Sequence, residues 1–112
     1  EALASDVGPS VRRAAACGLG RLQLEALPEA ERREVRGRAL RSLLDGCRDG
    51  EWVVRYAVAV GLESLARAMD PEPQQQGELR QALKVLADPE REETPVVQLR
   101  ARLALQQIQE TA

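Results

Sequence analysis

The chain has 112 residues, enough for one domain, and its 44% hydrophobic and 30% charged content excludes a disordered tail. Its net charge of −2 comes from 16 basic residues spread among 18 acidic ones, which argues against a nucleic-acid surface of clustered positive charge. No apolar run approaches the ~20 residues of a membrane span, no signal peptide is visible, and the lack of His removes most metal sites and the usual imidazole acid–base chemistry.

The chain opens "EALASD" without Met, so it is expected to be part of a longer protein. The segment "DVGPSVRRAAACGLGRL" (residues 6–22) is Ala-rich and predicts a helix. Next, "PEAERREVRGRALRSLLDGC" (28–47) begins with Pro28, Glu29 and Glu31, residues that suit a helix N-terminus. Its apolar stripe is Val35, Ala39, Leu40, Leu43, Leu44 and Cys47. Its Arg/Glu-rich first half predicts a solvated convex face. Then comes "DGEWVVRYAVAVGLESL" (49–65), which holds the chain's single Trp and single Tyr. Taken alone, its β-branched residues would also suit a buried strand.

Alignment of the first and third of these segments decides between strand and helix. Asp6 matches Asp49, Val11-Arg12 matches Val54-Arg55, Ala14 matches Ala57, and Gly18-Leu19 matches Gly61-Leu62, at a constant offset of 43 residues. The helical first copy implies a helical second copy, with its valines buried against neighbours. The prolines and polarity of "MDPEPQQQG" (69–77) predict a loop. "GELRQALKVLADP" predicts a helix with Leu79, Ala82, Leu83 and Leu86 inward, ending at Asp88-Pro89. A weaker third copy, "ETPVVQLRARLALQQI" (93–108), aligns at an offset of 45, with Leu99-Arg100 in the Val-Arg position and Thr94 in place of Asp.

Two helices per period of about 43 residues is the HEAT-like pattern. The expected fold is therefore all-α: a single domain over residues 1–112, a HEAT-like α-solenoid of about two and a half helical-hairpin repeats, with boundaries near 27 and 73. The open half-repeat at the start implies further chain, or a partner, covering that end.

Helical phase places Val54, Val58, Gly61, Leu62, Leu65 and Met69 on the core face of the middle helix, flanked by Val53, Ala57 and Val60. Trp52, Tyr56 and Glu63 fall on the opposite, concave side. Arg13 occupies the Tyr56 position of the first copy and is expected beside it in the adjacent repeat. Such a surface suits a planar anionic ligand by stacking and charge pairing, or a protein. Trp52 has a plainer reading as a cover for the seam between repeats. Arg55, with Arg12 and Arg100, reads as a ladder residue bonding the Asp of an adjacent turn or repeat. Asp6 and Asp49 read as turn or N-cap groups. Cys17 and Cys47 read as small core residues. No catalytic constellation emerges from residue types.

"SVRRAAACGLGRL", "LPEAERREVRGRALRSLL" and "DGEWVVRYAVAVGLESLA" together resemble the C-terminal half of the F-type (β) subunits of the E/F phycobilin lyases. The likeness runs from about Ser5 to Ile108, and "WVVRYAVAVGL" is its most specific part. It implies a cyanobacterial, cytoplasmic lyase subunit associated with phycobilisome assembly. Such a chain pairs with an E-type subunit, binds a phycobilin as substrate and attaches it to a cysteine of a phycobiliprotein, with no other cofactor. The His-Cys motif with which some relatives isomerise the bilin is absent from this His-free segment. Under this resemblance Arg13 and, second, Arg55 are candidates for the propionates, Glu63 or Glu51 for the pyrrole nitrogens, and Trp52 and Tyr56 for a ring. The segment alone is expected to be inactive. The rival expectation is a non-catalytic HEAT scaffold or adaptor for phycobilisome or other proteins.

Overall fold

The computed structural model describes Gly8, Arg13 and residues 27–68 and 73–111. Four helices account for nearly all of this: α1 (Glu29–Gly46), α2 (Trp52–Ala68), α3 (Pro73–Ala87) and α4 (Pro95–Thr111). No strand occurs among the described residues. α1 pairs with α2 and α3 with α4 as two helical hairpins, stacked side by side in the HEAT-like manner. The closest packing is between α2 and α4, the second helices of the two hairpins. The first-copy helix expected over 6–22 lies outside the described residues, apart from Gly8 and Arg13.

"WVVRYAVAV" is helical despite its β-branched residues. Val54 and Val58 are fully buried, together with Leu62 and Leu65. Burying each such side chain contributes roughly 1.5–3 kcal/mol. The helix-propensity cost of a valine is below about 0.7 kcal/mol, so burial wins. Ala57 and Ala59 are buried as well, because α2 has packing neighbours on several sides. The expected stripes hold in α1 at Ala39, Leu40 and Leu43, and in α3 at Leu79, Leu83 and Leu86.

Two local expectations fail. The loop expected over 69–77 gives way to helix from Pro73. A proline in the first helical position sacrifices no hydrogen bond, and the glutamines after it are good helix formers. The Arg/Glu-rich half of α1 is not wholly solvated either. Arg38 and Glu34 pair on the surface at 3.2 Å, but Arg36 is buried. Arg36 stands three and four positions before Ala39 and Leu40, at the head of the apolar stripe, and is carried inward by helical phase.

The register of the third copy also differs from the expected one. Val97, Ala101, Ala104 and Ile108 are buried on α4, whereas Leu99 and Leu103 are exposed. This burial matches Val54, Val58, Gly61 and Leu65 of α2 at an offset of 43, not 45. Hydrogen bonds repeat at the same spacing. Arg55 Nη1 donates to the Asp49 carbonyl at 2.8 Å, and Gln98 Nε2 donates to the Glu92 carbonyl at 2.6 Å. The Glu51 N–H donates to Asp49 Oδ1 at 2.9 Å, and the Thr94 N–H to Glu92 Oε2 at 3.1 Å. Glu92 therefore stands where the other copies have Asp, and Gln98 where they have Arg.

Glu92 also joins the two hairpins. Its carboxylate accepts from Arg55 Nε at 2.7 Å and Nη2 at 2.9 Å, a two-pronged contact with both side chains largely buried. The ladder reading of Arg55 thus holds, with a glutamate and a carbonyl as the acceptors. Burial by itself would raise the Glu92 carboxyl, but the Arg55 fork and the Thr94 N–H outweigh it and hold it below its ordinary value. The Arg55 guanidinium is correspondingly raised, chiefly by its bond to Glu92. A lowered folded-state pKa contributes stability that is present above the unfolded value and lost as pH falls through the folded one. Glu92→Gln is expected to cost about 3 kcal/mol at pH 7 by leaving Arg55 unbalanced. It should also flatten the loss of stability below the ordinary carboxylate value of 4.5. Urea midpoints of both proteins between pH 3 and 7 check this.

Candidate functional site

The head of α2 forms the first wall of the candidate site. Asp49 turns the chain through its bond to the Glu51 N–H, and the Glu51 carbonyl accepts from the Val54 and Arg55 N–H groups. Trp52 follows in the first helical turn and is 47% exposed. Tyr56 lies one turn further on and is half-buried, packed against the core. Positions four apart share a helix face, so the two rings are neighbours.

Arg13 and Val96 complete the pocket. Together with Trp52, Val53 and Tyr56 they line a space of about 300 Å³. Arg13 is exposed and comes from the preceding repeat, and Val96 comes from the first turn of α4. The structure therefore brings together Arg13, Trp52 and Tyr56 of the residues singled out in sequence. Val96 was missed. At the 43-residue offset it occupies the Val53 position, and the 45-residue alignment concealed this equivalence.

Glu63 and Arg55 lie elsewhere. Glu63 was expected on the face of the aromatics, one or two turns further on, and it lies eleven residues from Trp52, about 16 Å along the helix axis. There α4 covers it. Glu63 is buried and accepts from Arg100 Nη1 at 2.8 Å and pairs with Arg67 Nη2 at 3.0 Å. Arg100, expected in the ladder position, thus serves a different contact between α4 and α2. Arg55 points to the turn end of the hairpins, where its guanidinium is held by Glu92, Asp49 and Thr94. It has no part in the aromatic pocket.

The two rings offer π-faces for stacking, each worth roughly 0.5–1.5 kcal/mol beyond simple burial. Arg13 offers a fixed positive charge and a fork suited to a carboxylate. The pocket therefore suits a planar, unsaturated ligand with an anionic substituent. None of the described residues that line it is a thiol, an amine or a carboxylate. Among the described residues no cluster suited to a metal ion occurs.

A second hollow, of about 400 Å³, lies at the turn end between Cys47, Arg55, Leu86 and Glu92. Cys47 is a half-buried free thiol packed against the core. Burial pushes it up to about 12, against a lowering by Arg48 and with a further rise from Glu92. It is protonated at neutral pH, and the thiolate that would attack a ligand is scarce. Cys17, the other candidate core thiol, lies outside the described residues.

No family model matches the chain. Among curated proteins it is 44% identical over 107 residues to the bilin biosynthesis protein RpcF of Synechococcus sp. (strain WH8020), covering 96% of this chain and 48% of that one. It is 48% identical over 67 residues to the phycocyanin alpha phycocyanobilin lyase CpcF of Synechocystis sp. (strain ATCC 27184 / PCC 6803 / Kazusa), covering 60% of this chain and 31% of that one. The chain spans at most about half the length of these two relatives. Among solved structures, a chain of the complex of CpcE and CpcF of phycocyanin lyase from Nostoc sp. PCC7120 superposes with a TM-score of 0.77 at 38% identity. That match covers 92% of this chain and 57% of that one.

The state of Cys47 gives a direct check. Iodoacetamide at pH 8 is expected to leave Cys47 unlabelled in the folded protein and to label it fully in urea. Mass spectrometry of the peptide containing residues 42–48 reads the difference.

Proposed function

The chain is a homologue of the F-type, or β, subunits of the phycobilin lyases, and on that premise we propose that it works as one subunit of a heterodimeric lyase. The lyase binds a linear tetrapyrrole and attaches it to a cysteine of a phycobiliprotein. Its partner is an E-type subunit, and the acceptor is a phycobiliprotein chain. Both belong to the cyanobacterial cytosol, where phycobilisomes assemble. No helix among the described residues is long and apolar enough to cross a membrane.

The observation that carries this reading is the convergence of Trp52, Tyr56 and Arg13 on one apolar pocket. A bilin ring stacks on the aromatic faces, and a propionate pairs with the Arg13 guanidinium. The chemistry asks little else of this chain. The acceptor's thiol adds to the bilin's ethylidene group. Sulfur bonds to the ethylidene carbon, the double-bond pair takes up a proton on the neighbouring ring carbon, and nothing leaves. The nucleophile belongs to the acceptor protein, so the lyase subunit contributes by holding the bilin in position and excluding water. The described lining, without a thiol, an amine or a carboxylate, is consistent with that division. Glu63 is engaged by two arginines, so the pyrrole nitrogens find their carboxylate elsewhere, and Glu51, exposed next to Trp52, is the candidate.

Co-expression of the complete chain with an E-type partner, phycocyanobilin and an apo-phycobiliprotein tests the proposal. Covalent bilin fluorescence on the acceptor is expected only when this chain is present. Trp52→Ala combined with Tyr56→Ala is expected to lower the transfer rate at least tenfold while leaving the heterodimer intact on gel filtration. No chain-dependent fluorescence with any acceptor would point instead to a scaffold. Unchanged transfer by the double variant would remove the aromatic pocket from the mechanism.

A further inference from the structure

One exposed face of α4 carries an apolar stripe that the fold does not use. Val96, Leu99 and Leu103 are 43%, 61% and 45% exposed. Their spacing of three and four residues puts them on one face of the helix. The stripe has an edge, for Arg102 and Gln106 next to it are exposed polar residues. Val96 belongs both to the stripe and to the wall of the Trp52–Tyr56 pocket. The two features are therefore one surface, running from Arg13 and Trp52 across Val96 and then about 10 Å along α4 to Leu103.

The size of this surface limits its occupant. Small-molecule sites run from ~300 to 1,000 Å³. A pocket of about 300 Å³ is at the lower limit, so part of an extended four-ring ligand would lie outside it. A stable protein interface, by contrast, draws on ~800 Å² from each partner. Among the described residues the exposed large hydrophobics are these three aliphatic side chains and Trp52, in a narrow strip without the broad apolar centre of such an interface. The length, narrowness and continuity of the stripe match the remaining part of the ligand better than a protein surface.

We propose that Leu99 and Leu103 extend the Trp52–Tyr56 pocket into a groove along α4, on which the rest of a linear tetrapyrrole lies. This rests on the bilin-binding reading above and adds two residues to it. Arg13 and the two aromatic rings fix one end of the ligand. Leu99 and Leu103 set how many rings the site accepts, because they touch only what extends past Val96.

The test compares ligands of two lengths on the complete chain in complex with an E-type partner. The probes are phycocyanobilin and a two-ring dipyrrinone, titrated by absorbance against wild type, Trp52→Ala and the double variant Leu99→Ser/Leu103→Ser. Both leucines are exposed, so the double variant should melt as wild type does and retain the partner on gel filtration. Its affinity for phycocyanobilin is expected to fall about tenfold, with dipyrrinone binding unchanged, whereas Trp52→Ala weakens both. If Trp52→Ala weakens phycocyanobilin binding and the leucine variant does not, the groove is overturned and the pocket stands. Loss of the partner from the leucine variant also overturns it, by showing that the stripe is a protein interface. If Trp52→Ala too leaves both ligands unaffected, the bilin pocket itself fails, and the groove fails with it.

Discussion

Arg55 and Glu92 set the relation between the two hairpins. The guanidinium bonds both oxygens of a carboxylate 37 residues away, and its third contact is the Asp49 carbonyl at the head of its own helix. One side chain thus ties the turn before α2 to the turn before α4. Such a fork is geometrically demanding, because a planar donor pair meets a planar acceptor pair in few orientations. The buried charges tolerate no loose arrangement, since either one left alone costs several kcal/mol. The apolar contacts between α2 and α4 supply most of the adhesion, but adhesion alone is tolerant of sliding. The fork makes one register preferable to its neighbours.

The candidate site depends on that register. Trp52 and Val96 lie in the first turns of α2 and α4, directly after the two turns that the fork joins. A slip between the helices would move Val96 away from Trp52 and open the pocket. At the far end of the same seam, Glu63 receives Arg100 and Arg67. Ion pairs at both ends bracket the stretch of helix over which Trp52, Tyr56, Val96 and Leu99 are displayed. The binding surface is built on rigid helices, and its geometry is inherited from the stacking of repeats.

This arrangement suits a protein that holds a ligand for another protein's nucleophile. The described residues lining the pocket are two aromatic rings, two valines and an arginine. The one described thiol is placed in the core's margin, where burial keeps it protonated. The binding surface is bordered on α4 by the exposed polar residues Arg102 and Gln106.

The amino-acid sequence by itself determined the architecture. A 43-residue period with helical spacing in every copy leaves few folds other than a stack of helical hairpins, and phase within each helix identified Val54, Val58, Leu62 and Leu65 as core. It also brought Arg13, Trp52 and Tyr56 together, since equivalent positions of adjacent repeats are neighbours in a solenoid. The environment of Glu63 needed the tertiary structure: phase and spacing put it on the aromatic face about two turns past Tyr56, and only the packing of α4 brings Arg100 onto it. So did the third copy's register. There the Val-Arg pair is replaced by Val97-Gln98, a false match lies two residues on, and only burial and the bonds of Glu92 distinguish them. The exposure of Leu99 and Leu103 followed from that register alone. A pattern of residue types specifies which faces can be buried, but which of them are buried is decided by the helix that comes to lie against them.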